Sequence, residues 1–116
     1  MTAITISFAP DMARAALEGR KVCTSRLRRK GEPGDTFLID GCEFRLIATE
    51  VVSLNKVAYC FYAQEGFRSP EEFIATWNAL YPQAEYQEET PVWLHWFAAV
   101  SRPIGKVINT DAPIEA

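Results

Sequence analysis

Within the stretch GRKVCTSR, residues 19–26, Lys21 and Thr24 stand three positions apart, flanked by Arg20 and Arg26. An amine beside a hydroxyl is a starting point for acyl transfer, because a Thr hydroxyl is a poor nucleophile until a base removes its proton. Lys is such a base only when neutral. Its reference pKa of roughly 10.4 must then fall by several units, through burial or neighbouring positive charge. Kept as an ammonium, the same Lys would instead stabilise a developing oxyanion. Arg20 and Arg26 are near enough in sequence to push towards the neutral amine, and a nearby carboxylate would push the other way.

Geometry sets a condition on this chemistry. Side chains alternate along a strand, so Lys21 and Thr24 have opposite parity and cannot share one strand face. They meet only if Lys21 is still at a helix end, where the backbone turns, and Gly19 is the residue that makes such a turn cheap. The plainer reading of the stretch is a helix C-cap running into an exposed strand.

The elements that must position these residues follow from pattern. ITISF alternates and is β-branched, which predicts a strand over residues 3–8. Pro10 suits a first helical position, with Met12, Ala15, Ala16 and Gly19 along one face. Residues 22–27 read as extended, and RRKGEPGD as a turn-rich loop. TFLID and CEFRLIATEVVSL form two strands around Gly41, the second long enough to bulge midway. Residues 55–64 suit a helix with Val57, Cys60, Phe61 and Gln64 as its stripe and Gly66 as its cap. Ser69-Pro70-Glu71-Glu72 combines an N-cap, a Pro at N1 and a capping-box Glu, ahead of an apolar face of Phe73, Ile74, Trp77 and Leu80. Tyr81-Pro82 stops that helix. VWLHWFAAV, residues 92–100, is a buried strand, and the tail from Arg102 a short edge strand. This order predicts an α+β fold, a curved, mainly antiparallel sheet or small barrel with helices against one side.

Composition narrows the setting. At 116 residues a single domain spanning 1–116 is expected, and a 48% hydrophobic content supports a core without staples. No apolar run approaches a membrane span, and MTAITISF lacks the features of a signal peptide. Cys23, Cys42 and Cys60 are odd in number and widely spaced, which points to reduced thiols in a cytoplasmic setting. With His95 the only histidine, neither metal nor cofactor is expected. Six of the twelve Lys and Arg residues fall in residues 20–30, with no acid among them, while the net charge is −3. A local basic stripe on an acidic chain suits one phosphate-bearing ligand better than a wrapped duplex.

GRKVCTSR, PGDTFLI, QEGFRSPEEFIATWNALYP and VWLHWF together resemble the ASCH domain, in that family's order. The resemblance implies a PUA-like fold, a small mixed or antiparallel β-barrel with flanking helices, and a nucleoside or RNA as partner. It extends to the small bacterial branch of N(4)-acetylcytidine amidohydrolases, whose activity is assigned to a Lys, a Thr and a Glu that match Lys21, Thr24 and Glu65. The implied reaction is hydrolysis of the exocyclic acetamide to cytidine and acetate. Lys21 would be a base or an oxyanion-holding cation, Thr24 a nucleophile or a water-orienting hydroxyl, and Glu65 an amide-binding group or a proton shuttle. Glu65 also has a purely structural reading as a helix-end carboxylate.

Arg20 and Arg26 are the expected cationic binding groups, though Arg26 has a structural alternative as an ion-pair partner of Asp35 or Glu65. Phe67, with Tyr62 and Trp93, is of the type that stacks on a base. Ser25 reads as a strand hydroxyl and His95 as a packed or surface histidine. Cys23, among cations, would be a reactive thiol, and the acidic segment Gln83 to Pro91 either a lid or a barrier that repels long RNA and restricts the site to free nucleosides. Two other functions fit the same residues: an RNA-binding module using Arg20, Arg26, Arg28 and Arg29 on phosphates, and a ribonuclease.

Overall fold

The computed structural model describes residues 2–100; the edge strand expected from Arg102 lies outside them. The elements are α1 (Pro10–Leu17), β1 (Cys23–Arg26), β2 (Thr36–Ile39), β3 (Cys42–Ser53), α2 (Leu54–Cys60), α3 (Pro70–Leu80) and β4 (Pro91–Ala99). The strands form one antiparallel sheet in the order β1-β4-β3-β2, curled into an open half-barrel with three helices against it. The fold is thus α+β as the pattern predicts. β1 and β2 are its two edges.

The long strand β3 does bulge. Its register against β4 shifts between Leu46 and Ala48, so Leu46 opposes Phe97 while Ala48 opposes Trp96. One extra residue reverses parity. Phe44 and Leu46 therefore share a face with Phe97, whereas Val52 turns to the other face with Val92 and Leu94. Two cores result. One holds Ile6, Ala13, Ala16, Phe37, Phe44 and Phe97, beneath α1 and the N-terminal segment. The other holds Cys23, Val57, Phe73, Trp77, Val92 and Leu94, beneath α2 and α3.

Residues 3–8 are not a strand. Ala3 makes a single bridge to Thr36, with Ile4 N–H donating to the Thr36 carbonyl at 2.8 Å, and the ladder stops there. The alternation survives without it, since Ile4, Ile6 and Phe8 all pack on the first core. The chain has to leave the sheet because α1 begins at Pro10.

α1 ends at Glu18 and Gly19, the latter at φ 82°, as its sequence predicts. Its buried residues are Ala13, Ala15 and Ala16, with Met12 only half-buried. α1 is wedged between the first core and the Gly66 turn, so more than one side is covered and small residues suit it. α2 is shorter than predicted and buries Leu54, Val57 and Ala58, leaving Cys60 and Gln64 exposed. Beyond Cys60 the chain turns so that the Gln64 carbonyl accepts from Val22 N–H at 2.8 Å and Cys23 N–H at 3.3 Å. α3 starts as its caps dictate: the Ser69 hydroxyl accepts from Glu72 N–H at 3.1 Å, and a Glu72 carboxylate oxygen accepts from Arg68 N–H at 2.7 Å. Phe73 and Trp77 are buried, while Leu80 is 63% exposed.

Candidate active site

Lys21 meets the geometric condition. Arg20 N–H and Lys21 N–H both donate to the Ala15 carbonyl, at 2.8 and 3.1 Å, so Lys21 is still tied to the end of α1 when β1 begins two residues later. From this junction its side chain runs inward and is only 3% exposed.

Glu65 arrives on the turn after α2. Lys21 Nζ donates to Glu65 Oε1 at 2.8 Å and to the Glu65 carbonyl at 2.9 Å. The other carboxylate oxygen, Oε2, accepts from the Ser25 hydroxyl at 2.6 Å. Both carboxylate oxygens are therefore satisfied, which is the condition for burying an ion pair without a large net cost. Gly66, at φ 100°, allows the approach: a Cβ there would lie 3.3 Å from the Lys21 Cβ and 3.4 Å from the Ala15 Cβ.

Alternation along β1 places Thr24 and Arg26 on one face, Cys23 and Ser25 on the other. Arg26 donates to the Thr24 hydroxyl, to the Ser25 carbonyl at 3.1 Å and to the Ser7 carbonyl at 2.7 Å. No carboxylate lies within ion-pair distance of Arg26 among the described residues, so neither the Asp35 nor the Glu65 pairing is made. Asp35 instead accepts from Glu32 N–H at 2.8 Å and Thr2 N–H at 2.9 Å, and these bonds hold its carboxyl below the usual range. Its role is to close the basic loop.

These groups border one cavity of about 490 Å³ along the free edge of β1. Lys21, Thr24, Ser25, Arg26 and Glu65, with Ser7, Asp11 and Thr76, form its polar wall, and Phe8, Phe67, Trp77 and Tyr81 much of its apolar one. The aromatic ring of Phe8 lies under both cations, 5.9 Å from Lys21 Nζ and 5.3 Å from the Arg26 guanidinium carbon. The predicted trio of Lys21, Thr24 and Glu65 is thus brought to one place, together with Arg26 and Phe67.

Other expectations fall elsewhere. Arg20 is exposed and paired with Glu18 at 2.8 Å, outside the cavity. Tyr62 packs on the second core, and the Arg29 guanidinium covers Trp93 at 5.2 Å. Cys23 is not a reactive thiol: it is fully buried, and burial, then the charge of Glu65, push its pKa well up. Residues 83–91 are not a lid. They line no part of the cavity and are pinned to α2 and α3, with Tyr86 N–H donating to Asn78 Oδ1 at 2.7 Å and the Tyr86 hydroxyl to Asn55 Oδ1 at 3.0 Å.

His95 is a packed histidine, as expected, with no exposed surface. Lys30 N–H donates to Nε2 at 2.9 Å, which leaves the proton on Nδ1 to be donated to the Thr24 carbonyl at 3.2 Å. Two site residues escape a reading of the sequence. Phe8 is signalled only by its parity with Ile4 and Ile6, and Ser25 by nothing local, since its partner is forty positions away.

Among the described residues no helix is long and apolar enough to cross a membrane, and no group of three or more His, Cys, Asp or Glu could hold a metal. No family model matches the chain, and no curated protein matches it by sequence. Its fold is similar to three solved structures. An ASCH domain from Lactobacillus crispatus JV V101 is 18% identical, with 84% of this chain and 78% of that one covered and a TM-score of 0.58. A DUF984 protein from Enterococcus faecalis V583 is 17% identical over 85% of this chain and 78% of that one, TM-score 0.60. The hypothetical protein PH0355 is 16% identical over 85% and 96%, TM-score 0.63. The fold of this chain is ASCH-like, in agreement with what GRKVCTSR, PGDTFLI and their companion motifs imply.

Proposed function

We propose that this ASCH-like fold houses an amidohydrolase that removes the exocyclic acetyl group of N(4)-acetylcytidine or a closely related acylated nucleoside. One observation carries the reading: a buried amine, carboxylate and hydroxyl share the wall of a cavity whose volume of about 490 Å³ lies in the range of small-molecule sites. Burying an ion pair offers little stability over an apolar pair of the same volume, so a buried charge at a cavity wall has a better account as chemistry.

The Lys21–Glu65 contact of 2.8 Å favours a division of labour. Lys21 facing a carboxylate is a cation, suited to stabilising the oxyanion that forms when the acetamide carbonyl is attacked. Glu65 is the proton acceptor during attack and the donor to the cytosine nitrogen as it leaves. Arg26 positions the Thr24 hydroxyl, and both offer polar groups to the pyrimidine. Phe67 and Phe8 supply faces for the base.

The test is release of cytidine and acetate from N(4)-acetylcytidine by purified protein. Glu65→Gln, which keeps the shape and loses the base, is expected to lower kcat/KM by about 10²–10³-fold. Normal turnover in that variant, or none in the wild type, removes the proposal.

A second reading rests on a different wall. A smaller hollow of about 220 Å³ is bordered by Arg26, Leu27, Arg28, Lys30 and Tyr81, with no acidic residue. It suits a phosphate, and so an RNA-binding role. That role predicts affinity for short RNAs that falls linearly on a log–log salt plot, with a slope near the number of phosphate contacts.

A further inference from the structure

Two hydroxyls reach the cavity from neighbouring positions of β1, and only one of them faces a base. The Thr24 hydroxyl accepts from Arg26, and neither a carboxylate nor an imidazole bonds to it among the described residues. His95, the only histidine, spends Nδ1 on the Thr24 backbone carbonyl and Nε2 on Lys30 N–H. The Ser25 hydroxyl, in contrast, donates to Glu65 Oε2 at 2.6 Å, and Lys21 Nζ holds the opposite oxygen of that carboxylate at 2.8 Å. A nucleophile within hydrogen-bond reach of a base, itself oriented by a third group, is the arrangement that activates serine in acyl transfer.

The geometry points to Ser25, rather than Thr24, as the nucleophilic hydroxyl of this cavity, with Glu65 as its base and Lys21 as the cation that orients it. The inference deepens the amidohydrolase reading and rests on it for the identity of the acyl donor. β1 is an edge strand, and Cys23 N–H points away from β4 towards the Gln64 carbonyl. Ser25 has the same parity, so its backbone N–H faces that edge too. The free edge is where the cavity lies.

The steps balance. Ser25 Oγ bonds to the acetyl carbon as its proton passes to Glu65 Oε2, and the carbonyl electron pair becomes an oxyanion facing the Lys21 ammonium. The oxyanion collapses, the C–N bond breaks, and Glu65 returns the proton to the exocyclic nitrogen, releasing cytidine. A water molecule then attacks the acetyl ester, giving its proton to Glu65. Acetic acid leaves as the Ser25 oxygen recovers that proton, and ionises to acetate by giving a proton to solvent. The sum is amide plus water to amine plus acetate and one proton.

A serine that merely satisfies a buried carboxylate would not react with electrophiles, and this separates the two roles. An alkyl fluorophosphonate, whose phosphorus bonds to an activated serine with loss of fluoride, is the probe, read by peptide mapping of the wild-type protein. The expected result is a label on Ser25, absent in Ser25→Ala and formed at least about tenfold more slowly in Glu65→Gln. Quenched reactions with N(4)-acetylcytidine should carry an acetyl group on the same residue. A label on Thr24, or no label on the folded wild type, overturns the inference. Cytidine release with Ser25 unmodified overturns it while leaving the amidohydrolase reading intact. A labelled Ser25 without cytidine release keeps the nucleophile and removes only the proposed substrate.

Discussion

The ammonium of Lys21 bridges the side chain and the backbone of one residue, bonding to both Oε1 and the carbonyl of Glu65 at 2.8 and 2.9 Å. Both side chains are 3% exposed. The contact joins the end of α1 to the turn after α2, so the ion pair is at once part of the cavity wall and a clasp between elements. Removing one partner strands the other as a buried charge. Lys21→Ala and Glu65→Ala are each expected to cost about 3–5 kcal/mol in urea unfolding, whereas the Lys21→Ala/Glu65→Ala double variant costs less than the sum of the single changes. Additive losses would show that the two groups do not interact.

Gly66 and Gly19 both take a left-handed conformation, at φ 100° and 82°, but only Gly66 is crowded. Gly19→Ala meets nothing within 4 Å, so its expected cost is the backbone penalty alone, about 1 kcal/mol. Gly66→Ala adds a methyl against the Lys21 Cβ, pushing the Glu65 turn away from the amine. It is expected to lose more stability than Gly19→Ala and to lower turnover as well. Equal effects of the two substitutions on activity would refute the clasp.

Burial keeps the His95 imidazole below the ordinary histidine range, against the opposing pull of its bond to the Thr24 carbonyl; the charges of Arg26 and Lys30 disfavour protonation further. In the unfolded chain His95 takes up a proton near pH 6.5, at about its reference value, while in the fold it stays neutral. The unfolded state then binds more protons, and stability is lost as the pH falls below that value. Wild-type urea midpoints should drop from about pH 7.5 to about pH 5.5 more steeply than those of His95→Asn. Parallel slopes would mean that His95 does not titrate in this window.

The three free thiols differ in access. Cys60 is exposed, Cys42 half-buried and Cys23 buried with its pKa raised. With an aromatic disulfide reagent, Cys60 is expected to react first and Cys42 more slowly, leaving Cys23 silent until denaturant is added. Rapid modification of all three in the folded protein would contradict the packing of β1.

Phe67 lines the cavity and packs edge-on against Phe73, ring centroids 5.5 Å apart. If it stacks on the substrate base, Phe67→Ala should weaken binding by about 1–3 kcal/mol, seen as a raised KM with a smaller change in kcat. An unaltered KM would remove the base from that wall.

Much of the fold is written locally. The Ser69 cap, Pro70 and Glu72 define the start of α3 because their partners lie within four residues. Gly19 and Gly66 mark chain reversals because the left-handed conformation is costly for other residues. The requirement that Lys21 sit at a junction also follows from strand parity alone, and the α+β order follows from periodicity. The strand expected over residues 3–8 fails because alternation reports which side chains are buried and says nothing of whether a neighbouring strand continues the ladder.

What the tertiary structure alone decided is who meets whom across long separations. The bulge between Leu46 and Ala48 selects the face on which each half of β3 packs, and thereby splits the core in two. The pairing of β1 with β4 leaves a free edge, and the turn after α2 brings Glu65 to it. In the one-dimensional string Thr24 is the hydroxyl that stands out and Ser25, one step on, reads only as a strand hydroxyl. Only in three dimensions does one face Arg26 and the other a carboxylate, because hydrogen bonds forty residues apart depend on how the sheet closes and not on any neighbour in the chain.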